Sequence, residues 1–238
     1  MIASKAGLVE DGSKSDFSPA HLKRALEASL RRLKTDYIDL YQLHSPPPDA
    51  LSEVTISFLQ KTKTEGMIRA YGISARSPAE AKAAVERYGF PVVQVNFNLV
   101  DRRAIDCGLF ALAARDRVGV VARTPLSFGF LTGRYAANEE FHAQDHRRRW
   151  SAEQRRLWAE APQRFAALIA ALPGQTAAQF ALRYCLSQAC VSSTIPGMLT
   201  AAHVEENAAA SDFSLPDASE LARIAGISEQ VEFFDRKS

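Results

Sequence analysis

Polar side chains directly follow several short apolar segments of this sequence, where they are suited to binding a ligand. An ammonium (Lys5), an imidazole (His44) and a hydroxyl (Ser74) hold three of these positions. Side-chain alternation along a strand places Lys5 on the same face as Ala3, and Ser74 on the same face as Gly72. Residues as small as these leave room for a flat ligand beside the polar groups. The other polar residues at such positions are Gln94, Asn96, Arg123, Thr124 and the turn at residues 195–197.

The elements that must position these residues alternate between short apolar strands and amphipathic helices. Periodicity, capping residues and turn residues set their predicted limits. We predict strands at residues 1–4, 36–43, 67–73, 91–95, 118–122 and 191–194. We predict helices at residues 18–33, 51–65, 77–89, 107–115, 151–172, 176–188 and 200–210, and a last helix from Pro216.

Strands joined through helices run parallel, so the pattern favours either a doubly wound open sheet or a closed barrel. A doubly wound dinucleotide fold carries a G-x-G-x-x-G turn after its first strand, and this sequence has none. We therefore predict an α/β fold of the (β/α)8 TIM-barrel type, as a single domain over residues 1–238. About six of the eight units are found, so the barrel is expected to be incomplete and truncated at its N-terminal end. Its open edges would allow a homo-oligomer to form.

Composition narrows the classes of partner and of compartment. The net charge of +2 selects neither nucleic acid nor an anionic membrane as a partner. The sequence contains neither an apolar run of membrane-spanning length nor a signal peptide, which predicts a cytoplasmic protein. Three cysteines without a C-x-x-C pair are typical of reduced thiols. Cys, His and Asp are spaced too loosely to predict a metal site.

Six motifs, taken in order along the chain, resemble the aldo-keto reductase family over nearly the whole sequence. They are IASKAG (2–7), SLRRLKTDYIDLYQLHSP (29–46), GMIRAYGIS (66–74), QVNFN (94–98), GVVARTPLSFGFLTGRY (119–135) and IPGMLTAAHVEENAAA (195–210). The resemblance implies a barrel enzyme in which NADPH delivers a hydride to a carbonyl and a tyrosine donates the proton. NADH is an alternative cofactor.

The resemblance also assigns roles to individual residues. It implies that Lys5 is the lysine that tunes the tyrosine and that His44 is the histidine that orients the carbonyl. Ser74 and Gln94 match the residues that hold the nicotinamide carboxamide, and Arg123 lies where many members have an aromatic residue against the nicotinamide ring. The remaining matches are Thr124, Pro125 and Leu126 along the pyrophosphate, Gly197 and Met198 near the adenosine phosphate, and Glu206 and Asn207 at the adenine.

Several positions depart from the family pattern. The family's aspartate and tyrosine precede the lysine strand, and this chain begins after them. Among the six tyrosines, Tyr135 in the long loop is the one with freedom to swing toward the site. Ala75 replaces an asparagine, and Gly197, Leu199 and His203 replace basic residues often used for the 2′-phosphate. The basic run at residues 146–149 is either a solvated loop or a segment that folds over the cofactor phosphates.

Two functions follow from this reading. The first is an NAD(P)H-dependent reductase of aldehyde, ketone or sugar-derived carbonyls, which is weak or inactive because the family's aspartate and tyrosine are absent. Its partner is a small-molecule carbonyl substrate. The alternative is a non-catalytic nicotinamide-nucleotide-binding or interaction subunit built on a degenerate barrel.

Overall fold

The computed structural model describes residues 1–9 and 14–235. These residues group into two compact units. The first unit comprises Met1–Val95 and Ala104–Val121. The second comprises Asn96–Arg103 and Ala122–Ser238.

The six strands of the main sheet are separated by helices as the sequence predicts, whereas the short antiparallel pair β2–β3 was not predicted. The strands are β1 (Ala3–Ala6), β2 (Leu8–Val9), β3 (Lys14–Ser15), β4 (Ile38–His44), β5 (Ile68–Ser74), β6 (Val92–Asn96), β7 (Gly119–Arg123) and β8 (Val191–Ile195). The helices are α1 (Pro19–Leu33), α2 (Glu53–Thr64), α3 (Pro78–Tyr88), α4 (Arg103–Asp106), α5 (Leu109–Asp116), α6 (Ala152–Arg164), α7 (Ala166–Ile169), α8 (Ala177–Leu186), α9 (Ala201–Ala208) and α10 (Ala218–Gln230). Short 3-10 turns lie at Pro48–Ala50, Ser127–Thr132, His146–Arg149 and Ala209–Asp212.

Six strands form one parallel sheet in the order β1-β4-β5-β6-β7-β8, and helices connect them. The β4–β5 register pairs Ile38 with Ile68 at one end and His44 with Ser74 at the other. This α/β arrangement confirms the predicted TIM-barrel type with six strands, whereas a closed barrel of this type has eight. Among the described residues, no helix is both long and apolar enough to cross a membrane.

Polar side chains at the helix starts explain where most of the helices begin. Ser18 accepts a hydrogen bond from the backbone N–H of His21, which fixes the start of α1 as the sequence predicts. Leu22 and Leu26 of this helix are fully buried. Leu33, the last residue of this helix, is 45% exposed. The other helix-start side chains that accept such a bond are Ser52, Ser77, Ser151, Thr176, Thr200 and Asp217.

The structure shifts most predicted strands by one or two residues toward the C-terminus. The first strand is Ala3–Ala6 rather than residues 1–4, so Lys5 lies inside it. Backbone bonding also continues past the last apolar residue of a strand, since the N–H of Ser45 donates to the carbonyl of Ser74 at 2.8 Å. His44, Ser74 and Arg123 therefore belong to their strands rather than to the loops that follow.

The single helix predicted at residues 151–172 is also wrong. Two helices occupy this range, and they meet at Phe165, whose φ of −102° and ψ of 7° lie outside the helical range. Pro162 stands inside the last turn of α6, where it lacks the N–H that would continue the helical bonding. The kink follows from this proline.

Candidate active site

Four of the predicted site residues lie at the carboxyl ends of neighbouring strands in the first unit. His44 of β4 pairs in register with Ser74 of β5, and Ser74 pairs with Gln94 of β6. Lys5 of β1 pairs with Gln42, which lies two residues before His44 and therefore on the same face. The structure thus brings Lys5, His44, Ser74 and Gln94 to one end of adjacent strands, the arrangement the sequence predicts.

Burial differs along this row. Ser74 and Gln94 are 0% and 3% exposed, His44 is half-buried, and Lys5 is exposed. The backbone around them is fixed, because the N–H of Ala75 donates to the carbonyl of Gln94 at 3.1 Å. The row therefore has buried polar groups on its inner strands and an exposed ammonium side chain on its first strand.

The small size of Gly72 suggests, from the sequence, that it leaves room for a ligand. The structure shows that it does not. A Cβ atom at this position would lie 2.7 Å from the carbonyl oxygen of Val92 and 3.1 Å from Val92 Cβ. The space is thus taken by the backbone of β6. Glycine is needed here so that β5 and β6 can approach closely enough to align Ser74 with Gln94.

Gln42 is a buried polar residue on the strand face of His44, and the sequence prediction did not assign it to the site. Its side chain is 3% exposed, and its Oε1 atom has no hydrogen-bond donor within the described part of the chain. Buried polar atoms are normally paired, so this unpaired oxygen is an exception among the buried groups of the first unit. The signal was present in the sequence, since Gln42 shares its strand face with His44.

The tyrosines of the first unit lie away from this row. Tyr41 and Tyr71 pair in register on the opposite face of the strands, and the Tyr41 hydroxyl donates to the carbonyl of Leu22 in α1 at 2.9 Å. The Tyr88 hydroxyl donates to the carbonyl of Leu51. Tyr37 lies beneath the guanidinium of Arg69. None of these four described tyrosines shares the face that carries His44.

In the second unit, the residues after β7 form a strained turn. Thr124, Ser127 and Phe128 have positive φ angles of 53°, 44° and 57°, a region that non-glycine residues rarely adopt. Such conformations persist where the surroundings enforce them, often at functional sites. Here Asn98 enforces the turn, because its Nδ2 donates to the carbonyl of Thr124 at 2.9 Å.

Arg123 immediately precedes this turn, and a hydrogen bond fixes its positively charged side chain. Its Nε donates to Asn96 Oδ1 at 2.7 Å. Burial lowers the pKa of Arg123, and the charge of Asp101 opposes that shift. An arginine remains protonated under these conditions, so its position carries a fixed positive charge.

A cavity of about 480 Å³ lies beside this turn, wholly within the second unit. Its size is that of a small-molecule site. Six of the residues that line it are ones the resemblance assigns to cofactor binding: Thr124, Pro125, Leu126, Gly197, Glu206 and Asn207. Residues 124–126 and residues 197–207, some 70 positions apart in the sequence, therefore line the same cavity. Arg123 and Met198 are not among the lining residues, and Met198 is 48% exposed.

The cavity carries more positive than negative groups. The guanidinium groups of Arg134 and Arg147 line it, against one carboxylate from Glu206, and the imidazoles of His146 and His203 also face it. Arginine recognises phosphate through charge-assisted, often bidentate hydrogen bonds. The first turn of α8 also reaches the cavity through Ala178, and helix N-termini favour anions. The arrangement is suited to a ligand with phosphate groups.

Arg147, in the basic run at residues 146–149, is held at this cavity by several contacts. Asp145 caps the turn by accepting the N–H of Arg147 at 2.9 Å, and it lies 3.1 Å from Arg147 Nε. The Arg147 guanidinium donates to the Tyr135 hydroxyl and lies 4.8 Å from the centre of its ring. Within the run, His146 and Arg147 line the cavity, whereas Arg148 and Arg149 do not and are exposed. Tyr135 is engaged by Arg147 in this cavity.

Helix α9 presents the other wall. Thr200 accepts the N–H of His203, and the N–H of Leu199 donates to His203 Nδ1 at 3.3 Å. Gln179 Nε2 donates to the carbonyl of Glu206 at 3.1 Å and ties α9 to the start of α8. These bonds hold Glu206 at the cavity.

A model of the family described as Aldo/keto reductase family matches residues 1–229. This chain belongs to that family.

Other members of the aldo/keto reductase family match over most of this chain. The uncharacterized oxidoreductase YqkF of Bacillus subtilis (strain 168) is 34% identical over 87% of this chain and 67% of its own length. L-glyceraldehyde 3-phosphate reductase of Escherichia coli (strain K12) is 30% identical over 94% of this chain and 68% of its own. Among solved structures, the holo form of aldo-keto reductase AKR11C1 from Bacillus halodurans is 30% identical, with a TM-score of 0.75, and covers 95% of this chain and 72% of that one. The glycerol dehydrogenase AKR11B4 from Gluconobacter oxydans is 26% identical, with a TM-score of 0.82, over 98% of this chain and 73% of that one.

Membership in the aldo/keto reductase family makes the chain one of a family of oxidoreductases that reduce carbonyls with a nicotinamide cofactor. In this member, Lys5 and His44 lie in the first unit, and the residues that line the cavity of about 480 Å³ lie in the second. Sequence reasoning missed Arg134 and Ala178 in the second unit. These two sit among residues without a distinctive spacing, so only their packing reveals them.

Proposed function

We propose that this chain binds a nicotinamide dinucleotide, NADPH in the first place and NADH as the second candidate, and reduces a small aldehyde, ketone or sugar-derived carbonyl. The observation that carries the proposal is the cation-lined cavity of the second unit, where six residues matched to cofactor binding meet. The bound cofactor would supply the hydride. The chain's own residues bind and orient the reactants.

The side chains of the second unit fit the phosphate end of such a cofactor. Arg147 and Arg134 are the cations proposed for the phosphates, because both line the cavity and Arg147 is held in place by Asp145. Asn207 and Glu206 offer an amide and a carboxylate to the hydrogen-bonding edge of an adenine. This donor and acceptor set matches the chemistry of the group.

The side chains of the first unit fit a carboxamide and a carbonyl. Ser74 and Gln94, which the family resemblance matches to the nicotinamide carboxamide, lie side by side on adjoining strands. The buried Oε1 of Gln42 has no hydrogen-bond donor within the described part of the chain. Lys5 and His44 are proposed to place positive charge and an N–H at the carbonyl oxygen. Negative charge develops there as hydride arrives, and preorganised donors stabilise it.

The tyrosines of the first unit bear on how fast this reaction runs. All four lie away from the face of His44, and two of them use their hydroxyls to bond backbone carbonyls. We therefore propose that turnover by this chain is slow. The same observation favours a second function, a nicotinamide-binding subunit without catalysis. One relative, 28% identical over 82% of this chain, is named probable voltage-gated potassium channel subunit beta of Arabidopsis thaliana.

We propose a reducing compartment such as the cytoplasm. All three cysteines are free thiols, and Cys185 is fully buried. Structural disulfides are rare in compartments of this kind.

Two measurements test the proposal. NADPH and NADH are titrated against protein fluorescence, and their carbonyl-dependent oxidation is followed at about 340 nm with a panel of aldehydes, ketones and sugars. We expect Arg147→Gln to weaken NADPH binding about 10-fold or more, because a charge-assisted contact is lost. Its neighbour Arg148, which does not line the cavity, provides the matched control Arg148→Gln.

Lys5→Met separates the two functions. We expect it to lower kcat about 100-fold while leaving nucleotide binding intact, with the exposed Lys63→Met as control. Nucleotide binding without measurable turnover in the unmodified chain would instead support the non-catalytic subunit. The absence of both binding and turnover would refute both functions.

A further inference from the structure

A cation lies beside the polar row of the first unit, and the reaction proposed above does not use it. Arg76 follows Ser74 by two residues, in the loop between β5 and α3. Its Nε donates to the carbonyl of Ser45 at 3.1 Å, and Ser45 directly follows His44. The guanidinium is therefore bonded to the residue next to the histidine that is proposed to orient the carbonyl.

The backbone around this bond is held in an uncommon conformation. Ser45 has a positive φ of 55°, which non-glycine residues rarely adopt. Its N–H donates to the carbonyl of Ser74 at 2.8 Å, and its own carbonyl accepts from Arg76. The N–H of Ala75, the residue before Arg76, donates to the carbonyl of Gln94 at 3.1 Å. The loop that carries Arg76 is thus tied to β4 on one side and to β6 on the other.

The charge of Arg76 has no carboxylate to balance it within the described part of the chain. By contrast, Arg69 of the same strand pairs with Asp39 at 2.9 Å. Arg76 is exposed, so a small molecule can reach it. The carboxylates of the flanking segments, none of which pairs with it, are Asp49, Glu53 and Glu80.

The bond to Ser45 also orients the guanidinium. Because Nε is used, the two terminal nitrogens of Arg76 present the remaining N–H groups. Two parallel N–H groups of this kind match the paired oxygens of a phosphate or a carboxylate. An anchored guanidinium loses less side-chain freedom on binding than an arginine that must first be ordered.

We propose that Arg76 determines the substrate class, by binding a phosphate or carboxylate group that the carbonyl compound carries. This inference rests on the proposed reduction at Lys5 and His44. Successive Cα atoms are only about 3.8 Å apart, so the residue bonded to Arg76 lies close to His44. The anionic group is accordingly a few bonds from the carbonyl, and the substrate is a short compound.

The first test compares substrates that differ in charge but little in size. Succinic semialdehyde is paired with butyraldehyde, and dihydroxyacetone phosphate with dihydroxyacetone, in NADPH oxidation at constant ionic strength. We expect kcat/KM to be about 10-fold higher or more for the anionic member of at least one pair, which also tells carboxylate from phosphate. Arg76→Gln should lower that value about 10-fold and change the neutral member by less than about 2-fold.

Two further variants separate charge from position. Arg31→Gln is the matched control, because Arg31 is exposed in the last turn of α1, which precedes the opposite end of β4 from His44. It should change neither member of a pair. Arg76→Lys keeps the charge without the Nε bond, and we expect it to fall between Arg76→Gln and the unmodified chain.

The second test does not require turnover. Glycerol 3-phosphate is titrated calorimetrically into the chain, with and without NADP⁺, and glycerol is the neutral control. We expect binding of glycerol 3-phosphate that Arg76→Gln weakens about 10-fold and Arg31→Gln leaves unchanged. If the unmodified chain fails to bind NADPH, the proposed function fails, and the titration without nucleotide still decides whether Arg76 binds an anion.

Three results would overturn the inference. One is an unmodified chain that shows no preference for the anionic members and no binding of glycerol 3-phosphate. Another is an equal loss of kcat/KM for charged and neutral substrates in Arg76→Gln, which would mean that Arg76 only supports the backbone beside His44. The third is the same affinity for glycerol 3-phosphate in Arg76→Gln and Arg31→Gln.

Discussion

Arg183 of α8 is the most fully buried charged residue in the second unit, with 1% of its surface exposed. Its guanidinium donates to Gln175 Oε1 and to the carbonyl of Ser214, and lies 3.7 Å from Glu220. It thereby joins α8 to the start of α10 and to the loop before α8. Methionine keeps most of the apolar stem and removes every donor.

We expect Arg183→Met to lower the free energy of unfolding by about 3–5 kcal/mol. Each hydrogen bond to a charged group contributes about 1.5–3 kcal/mol, and two such bonds are lost while Gln175 stays buried. Glu220→Gln should cost less than about 1 kcal/mol, because Glu220 is 21% exposed and its contact is long.

Urea unfolding followed by circular dichroism measures these differences. The exposed Arg223→Met on α10 is the matched control, with an expected change within about 0.5 kcal/mol. A loss in Arg183→Met below about 1 kcal/mol, or no greater than that of the control, would show that the network does not stabilise this unit.

Three other predictions concern the first unit and its strands. Gly72→Ala should destabilise by about 1–3 kcal/mol because its Cβ meets the Val92 carbonyl at 2.7 Å. Gly226→Ala, in a helix with open space around it, should be neutral or stabilising; equal urea midpoints for the two variants would contradict this reasoning. Burial raises the pKa of the Tyr41 hydroxyl far above its usual value near 10. The stability that the buried, neutral hydroxyl contributes is therefore fully present below about pH 10 and is lost progressively as the pH rises above that value. Stability should therefore fall less between pH 8 and pH 10.5 in Tyr41→Phe than in the unmodified chain, and equal falls would be the contrary result. Finally, strand β1 stands at one end of the sheet order and is more exposed than β4. Because exposed edge strands pair with other chains, we expect light scattering to show a molar mass that rises with protein concentration. A constant monomer mass would contradict this.

Part of the site follows from local patterns alone. Alternation along β4 and β5 places His44 with Gln42 and Ser74 with Gly72, and the structure keeps these faces. Helix starts such as Ser18 and Thr176 are also local, because the capping side chain and the N–H it accepts lie three residues apart. Family motifs then carry the roles that spacing cannot supply.

Other parts depend on residues that are far apart in the chain. Whether Gly72 leaves room or closes it depends on where the Val92 carbonyl lies. The unpaired donor of Trp158 depends on which acceptors the surrounding loops bring near it. No pattern along the sequence encodes either result.

The sequence by itself determined the order of the six main strands, the faces of β4 and β5 and the family resemblance, because periodicity, capping and motif spacing act over a few neighbouring residues. The tertiary structure decided which polar groups share a cavity and which remain unpaired. It joined residues 124–126 to α9, set Arg147 against Tyr135 and enclosed both tryptophans in one space. The physical reason is that burial and hydrogen bonding are settled by packing between distant segments, and each atom's partners exist only once those segments meet.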